Sequence, residues 1–377
     1  MVTGERFLVE YLITGDEHEA YNKVQDICVE QTVEFPTELI LDNWIKEDVV
    51  GKIESFEPIQ VNLFQAVVSY AVETTAYELT QLLNVIYGNI SLKPGILVNK
   101  IDLSPKLLDS FRGPHFGRSG LRSLLGVKGR PLLFTAIKPM GLSAAELGKL
   151  AYRFARGGID IIKDDHGLTN QPFAAFADRV KSCARAVEKA NQENGSNSIY
   201  VANITGPSDE VVARARLAKQ LGARGLLLAP ALVGFDTMRL VAEDDTIALP
   251  IFSHPAFMGS YTASENNGIS HFALYGQITR LAGADATIYP NFGGRFSFSQ
   301  QICESIVQGT SVPMGNIKPI FPSPGGGLTL ELIPELLKVY GQEVIFLMGG
   351  GLVKRSPDIE QNCQYFKHLI ESSIEIE

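Results

Sequence analysis

The sequence predicts an α/β protein: a C-terminal (β/α)8 (TIM) barrel preceded by a small ferredoxin-like α+β domain. Two observations predict it. From about Gly120 onward, short β-rich runs alternate with segments whose apolar residues recur near 3.6. Before that point the order of elements reads β-α-β-β-α-β.

The first domain is assigned to residues 1–125. RFLVEYLIT opens it, a helix near 16–27 follows, then a strand-like ICVEQTVEF and the run VNLFQAVVSYAV. A helix near 76–86 and the run GILVNKIDL complete it. The barrel is assigned to residues 126–377, with eight candidate strands. They are PLLFTAIK (131–138), IDIIKDD (159–165), SIYVANIT (198–205), GLLLAP (225–230), PIFSH (250–254), DATIYP (285–290), IKPIFP (317–322) and EVIFLM (343–348). The helix after the first of these opens on Ser143-Ala-Ala-Glu146, a capping box, and closes at Gly157-Gly158. Eight such β-then-α units in about 250 residues match the rhythm of a closed barrel. A doubly wound open sheet needs a glycine fingerprint after its first strand, and KPMGLS occupies that turn instead.

Composition narrows the function. The chain has 377 residues, a formal net charge of −9 and no Lys/Arg run, which argues against a nucleic-acid binder. No apolar run is long enough to span a bilayer. The opening MVTGERFLVEYLITG lacks the basic segment and apolar core of a signal peptide, so the cytoplasm is the expected compartment. The four cysteines (Cys28, Cys183, Cys303, Cys363) show no CxxC spacing and read as thiols in a reducing environment.

In a (β/α)8 barrel, chemistry sits where strands end and βα loops begin. The residues at those positions are Lys138; Lys163, Asp164, Asp165 and His166; Asn203; His254; Tyr289 and Asn291; Gly325–Gly327; and Gly349–Gly351. Asp165 and His166 are metal-ligand types within reach of one cation. A lysine ammonium cannot ligate, but its neutral amine reacts with CO2 to give a carbamate, a carboxylate-like donor. The alternative is a polar strand end with Asp165 capping the next turn. The two triple-glycine loops follow the seventh and eighth strands, where unshielded backbone N–H groups cradle phosphate, although glycine also serves tight turns. His254 reads either as an acid/base or substrate contact or as a packed loop histidine.

These residues resemble a known family. GGIDIIKDDHGLTNQPFAAFADR resembles the carbamylated-lysine motif of the ribulose-bisphosphate carboxylase (RuBisCO) superfamily, and GRPLLFTAIKPMGLS resembles its first barrel strand. IYGNISLKPG resembles the asparagine-bearing segment of its N-terminal domain, and the likeness runs in order from about residue 5 to residue 357. The resemblance implies Lys163 as carbamate bearer, Asp165 as magnesium ligand with His166 at the third ligand's position, and Lys138 as acid/base. It implies a homodimer in which Glu30 and Asn89 reach into the partner's barrel. His254 and Arg295 would contact substrate, and Gly326, Gly327, Gly350 and Gly351 would hold phosphate.

The departures redirect the function. His166 replaces a glutamate ligand, Met140 a second lysine, Pro255 an arginine and Gly325 a serine, and the loop YPNFGGRFS offers Arg295 where a CO2-handling lysine is expected. The chain therefore resembles the form IV, RuBisCO-like group, which enolises sugar phosphates without fixing CO2. The expected substrate is 5-methylthioribulose 1-phosphate or a related methionine-salvage intermediate. The alternatives are decarboxylation of a 3-keto sugar-acid phosphate, and a non-catalytic RuBisCO-like role in sulfur or stress metabolism.

Overall fold

The computed structural model describes residues 3–296 and 298–374. Its small domain is built on β1 (Arg6–Thr14), β2 (Lys52–Gln60), β3 (Leu63–Ala71) and β4 (Ile96–Asp102). These lie in the order β4-β1-β3-β2, every neighbour antiparallel. Strict alternation in β1 buries Phe7, Val9, Tyr11 and Ile13. The helix Glu17–Glu30 packs on β1 and β3, and Tyr11 OH donates to the Ile86 carbonyl (2.8 Å) of the helix Leu79–Tyr87.

One expectation fails here. ICVEQTVEF is not a strand: Ile27–Glu30 complete the first helix, and the second strand is KIESFEPIQ. Ala20, Val24, Ile27 and Cys28 share one buried helical face, and that packing overrides the β-branched composition of the segment. β2 is an edge strand, largely exposed, and carries no apolar alternation to betray it.

The second sheet contains β5 (Leu132–Ile137), β6 (Ile161–Asp164), β7 (Ile199–Asn203), β8 (Gly225–Leu228), β9 (Ile251–Ser253), β11 (Ala286–Pro290), β12 (Phe321–Gly325) and β13 (Ile345–Leu347). Its order is β12-β11-β9-β8-β7-β6-β5-β13, every ladder parallel, and β12 lies beside β13 to complete the ring. The two-residue β10 (Gly268–Ile269) leaves the connection after β9 and pairs with β4, tying the barrel to the small domain. IKPIFP is offset from the true strand because Ile317 closes a turn onto the Met314 carbonyl and the Ile317 and Lys318 carbonyls accept from Arg280. β12 consequently runs into the first glycine of 325–327. The capping box at Ser143 forms as read, with both reciprocal bonds present.

Parity along the strands positions the site. Leu132, Phe134, Ile161, Ile199, Val201, Leu227, Phe252, Ala286, Ile288, Phe321 and Ile345 form one buried cluster inside the ring, with Leu121 and Leu125 of the helix Gly117–Leu125 at its floor. Continuing that parity upward gives Lys138, Lys163, Asp165, Asn203, His254, Gly325 and Gly349, so the period of two carries these positions to the barrel axis at the C-terminal mouth. Among the described residues, no helix is long and apolar enough to cross a membrane.

Candidate functional site

Three consecutive residues at the end of β6 divide the work. Lys163, 2% exposed, points into the barrel, and its Nζ donates to the Asp164 carbonyl (3.1 Å). Burial, reinforced by the nearby Lys138 ammonium, pushes its amine down to about 7. Asp164 points the other way, into the helix layer. Its Oδ2 accepts from Arg179 Nε (3.1 Å) and the Asn203 backbone N–H (2.9 Å), and its Oδ1 from Tyr200 OH (2.6 Å). Asp165 returns to the mouth: Oδ1 accepts from the Gly167 N–H (3.0 Å) and faces His166 Nδ1 (3.3 Å), while Oδ2 meets Lys138 Nζ. The turn-capping role and a place among reactive groups thus coexist in Asp165.

Lys138, half-exposed just beyond β5, has its pKa lowered by burial and then by the positive charge of Arg295, which places Arg295 within electrostatic reach. The His166 and His254 rings stack with centroids 4.5 Å apart and planes 11° from parallel. Burial first, then the charges of Lys163 and Lys138, lowers the pKa of both, that of His254 far below the usual value. Both imidazoles are therefore neutral near pH 7. His254 Nδ1 accepts from the Ala256 N–H (3.2 Å), leaving Nε2 for other partners. Asn203 is a clamp: its amide donates to the carbonyls of His166 and Leu168 (2.9 Å each) and its Oδ1 accepts from the Thr205 N–H (3.1 Å).

The glycine loops interlock. The Arg295 N–H donates to the Gly326 carbonyl (3.0 Å), and a Cβ at Gly351 would collide with the Leu328 carbonyl, so the loops after β11, β12 and β13 touch one another. Gly326 and Gly327 have φ of +78° and +131°, and a Cβ at Gly327 would press on the Arg295 nitrogen. Gly349 and Gly350 have open space where a Cβ would stand. Tyr289 and Asn291 do not join the site. Asn291 Oδ1 accepts from Tyr340 OH (2.6 Å), and Tyr289 is buried on the helix side of β11.

In the small domain, Asn89 Nδ2 donates to Glu30 Oε1 (3.0 Å). Buried Gln31 holds the pair in place by donating to the Asn84 and Val85 carbonyls and accepting from the Ile90 N–H. Among the described residues, neither Glu30 nor Asn89 bonds to Lys138, Lys163 or Asp165 of its own chain. The cysteines are free and buried, as read, with their thiols pushed up by burial.

A reading of the sequence missed the partners of Asp164, because nothing in the spacing links it to Arg179 on the next helix or Tyr200 on the next strand. It also missed the His166–His254 stack. The signal for the first was parity alone: alternation sends Asp164 outward when Lys163 faces in.

A parallel barrel with a buried, near-neutral lysine, a carboxylate, two neutral imidazoles and facing glycine loops at its C-terminal mouth defines an enzyme of the (β/α)8 class. Comparison with known proteins makes this particular. Residues 117–356 match the family model of the ribulose bisphosphate carboxylase large chain, catalytic domain. The chain is 34% identical over 363 residues to a 5-methylthioribulose-1-phosphate isomerase of Rhodospirillum rubrum, covering 96% of this chain and 95% of that one. It is 32% identical over 357 residues to a 2,3-diketo-5-methylthiopentyl-1-phosphate enolase of Bacillus pumilus, covering 92% and 87%. The crystal structure of a Rubisco-like protein from Rhodopseudomonas palustris superposes with a TM-score of 0.88 at 33% identity, covering 97% of this chain and 98% of that one. The chain belongs to the RuBisCO large-chain family, as a RuBisCO-like protein.

Proposed function

We propose that this protein enolises and isomerises a ketose 1-phosphate, 5-methylthioribulose 1-phosphate or a close methionine-salvage relative, without fixing CO2. The observation that carries the reading is Lys163: an amine buried on the barrel axis, near neutral at physiological pH, beside Asp165 and close to Lys138. The relatives named as an isomerase and an enolase of methylthio-sugar phosphates support the substrate class.

The donor set fits a divalent cation, magnesium in the first instance. Among the described residues no cluster of three or more His, Cys, Asp and Glu side chains gathers, so Asp165 and His166 alone fall short of a site. A carbamate on Lys163 supplies the missing anionic oxygen. The neutral amine adds to CO2 and releases one proton, and the depressed pKa keeps a large fraction of the amine in the reactive form. Lys163, Asp165 and His166 would then hold the cation, which would polarise the substrate ketone and stabilise the enediolate.

The chain's own residues do the rest. Lys138, paired with Asp165, would be the group that takes or returns the α-proton. Neutral His254 offers Nε2 to a substrate oxygen. The loops at Gly326–Gly327 and Gly350–Gly351 receive the phosphate, and Arg295, tied to the Gly326 carbonyl, brings a positive charge to that side. The loop after β11 carries Arg295 and no lysine, consistent with a reaction that ends without CO2 addition.

The working unit is a homodimer. Exposed Phe35, Leu39, Leu41, Trp44 and Leu92 surround the Glu30–Asn89 pair in sequence, and exposed Met140, Phe173, Phe257, Phe296 and Val353 lie on the segments that follow five different barrel strands, Val353 in the short helix Gly350–Lys354. Two such apolar sets on one chain suit each other's burial in a second copy, which would bring Glu30 and Asn89 over the partner's mouth. The test is exchange of the substrate α-proton in deuterated water, followed by NMR on protein supplied with bicarbonate and magnesium. Exchange without CO2 incorporation is the expected outcome, and no exchange with any ketose phosphate would overturn the reading.

A further inference from the structure

The helices that follow β5 and β6, Ala144–Arg156 and Phe176–Asn194, pack side by side on the outside of the barrel. A groove of about 800 Å³ runs between them. Its floor is low because the facing residues are small: Ala145 and Gly148 on one helix, Ser182 and Ala186 on the other. A Cβ at Gly148 would collide with Ser182 Oγ, so the two helices touch there.

Cations form the walls. Lys149 and Arg153 stand on the first helix, Lys181, Arg185 and Lys189 on the second, and Asp178 is the one carboxylate that lines the groove. Over the whole chain, acidic residues outnumber lysines and arginines 42 to 33, so the groove inverts the charge of the molecule. Lys149, Lys181, Arg185 and Lys189 are exposed. Among the described residues, Lys149, Lys181 and Arg185 form no ion pair. Arg153 and Lys189 reach Asp358 (3.9 Å) and Glu193 (3.8 Å) only at the limit of one. Glu146, one turn before Lys149, is engaged in the Ser143 cap. Like charges along a cleft with low-dielectric walls focus a positive potential into it.

The cations recur every four residues, about 6 Å along a helix axis, so each wall carries a regular row of charge. A helix with carboxylates at the same interval, on both sides of a small apolar stripe, matches both walls and the floor. A nucleic acid matches less well. The one aromatic ring in the groove, Tyr152, is covered by Lys189 Nζ, 5.3 Å from its centroid, and its OH donates to Glu193, so a base finds no free platform.

We propose that this groove docks an acidic amphipathic helix of a partner protein, its carboxylates set against the two rows of cations. None of the lining residues belongs to the site at the barrel mouth, so docking and turnover are separable.

Fluorescence anisotropy on the full chain tests this, with a labelled synthetic helix that carries two rows of glutamates beside an alanine stripe. The probe should bind, and added salt should weaken it. Lys181→Glu/Arg185→Glu should weaken binding at least about tenfold, and Lys149→Glu on the opposite wall by a smaller factor, with melting temperatures unchanged. Lys128→Glu/Lys338→Glu makes the same change in net charge outside the groove and should leave binding within about twofold of wild type. Absence of binding, equal weakening by the two double variants, or equal binding of a probe with glutamine in place of glutamate would overturn the proposal. Tighter binding of a single-stranded oligonucleotide of equal charge, lost in Lys181→Glu/Arg185→Glu, would also overturn it and give the groove to nucleic acid. A wild-type assembly larger than a dimer that the same variant breaks down would give it to a second copy of this chain instead.

Discussion

The two ends of the barrel use carboxylates in opposite ways. At the N-terminal end, Asp160 accepts two bonds from Arg130 (2.7 and 2.9 Å) and one from the Leu133 N–H (2.8 Å), joining the start of β6 to β5. Asp285 accepts from the Phe116, Gly117 and Ile251 N–H groups, joining the start of β11 to β9 and to the helix under the floor. Each of these carboxylates is saturated by partners the fold supplies. At the C-terminal end, Asp165 accepts from one backbone N–H and otherwise faces the half-exposed Lys138 and His166, while buried Lys163 has, among the described residues, the Asp164 carbonyl as its one hydrogen-bond partner. Saturated polar groups stabilise; undersaturated ones at the mouth are available for chemistry.

The largest effects should separate the two ends. Lys163→Ala and Asp165→Ala should cut turnover by roughly a thousandfold or more while leaving the melting temperature nearly unchanged, since their loss strands little. Asp285→Ala should do the opposite, leaving two buried N–H groups and one part-buried one unpaired and lowering stability by about 3–5 kcal/mol, with turnover per folded molecule retained. Near-normal turnover in Lys163→Ala would remove the carbamate assignment.

Within β6 the comparison sharpens further. Arg179→Met leaves Asp164 buried without its cation and should cost about 3–5 kcal/mol, read as a lower urea midpoint at unchanged m-value. A midpoint within error of wild type would mean that Tyr200 and Asn203 suffice to hold that carboxylate.

Lys163 gives the pH test. Its folded-state pKa, about 7, lies below the ordinary lysine value of 10.5, so the unfolded chain binds more protons between those two limits. Stability of the CO2-free protein should therefore rise with pH across that window, and Lys163→Met should flatten the rise. Carbamylation at fixed dissolved CO2 should increase with a midpoint near pH 7, measured by 13C NMR. A midpoint near 10 would show that burial does not depress this amine.

The smallest effect concerns His166. If its neutral imidazole joins Asp165 and the carbamate, the site favours manganese, cobalt or zinc over magnesium more than an all-oxygen site does. His166→Glu should then raise magnesium affinity on the order of tenfold and erase that preference, by titration with each metal. Unchanged metal preference with collapsed turnover would assign His166, stacked on His254, to substrate contact or proton transfer.

By itself the sequence determined the barrel rhythm, the order of its eight strands and the strand-end positions of Lys138, Lys163, Asp165 and His254. Periodicity is a local property, and parity carries it from the core residue Ile161 to Lys163 and Asp165 without further information. Composition misled where packing overruled it, as when Ile27 and Cys28 entered a helix and the unremarkable KIESFEPIQ became β2. Only the tertiary structure decided which polar groups meet. The Asp164–Arg179–Tyr200 set, the His166–His254 stack and the contacts between the glycine loops join residues 15 to 88 positions apart in sequence. The left-handed turn at Phe257 was equally invisible, because a phenylalanine does not announce a positive φ; hydrogen bonds from its neighbours impose it. Burial, which makes Lys163 an amine near neutrality, is likewise a property of the closed ring and of no residue in it.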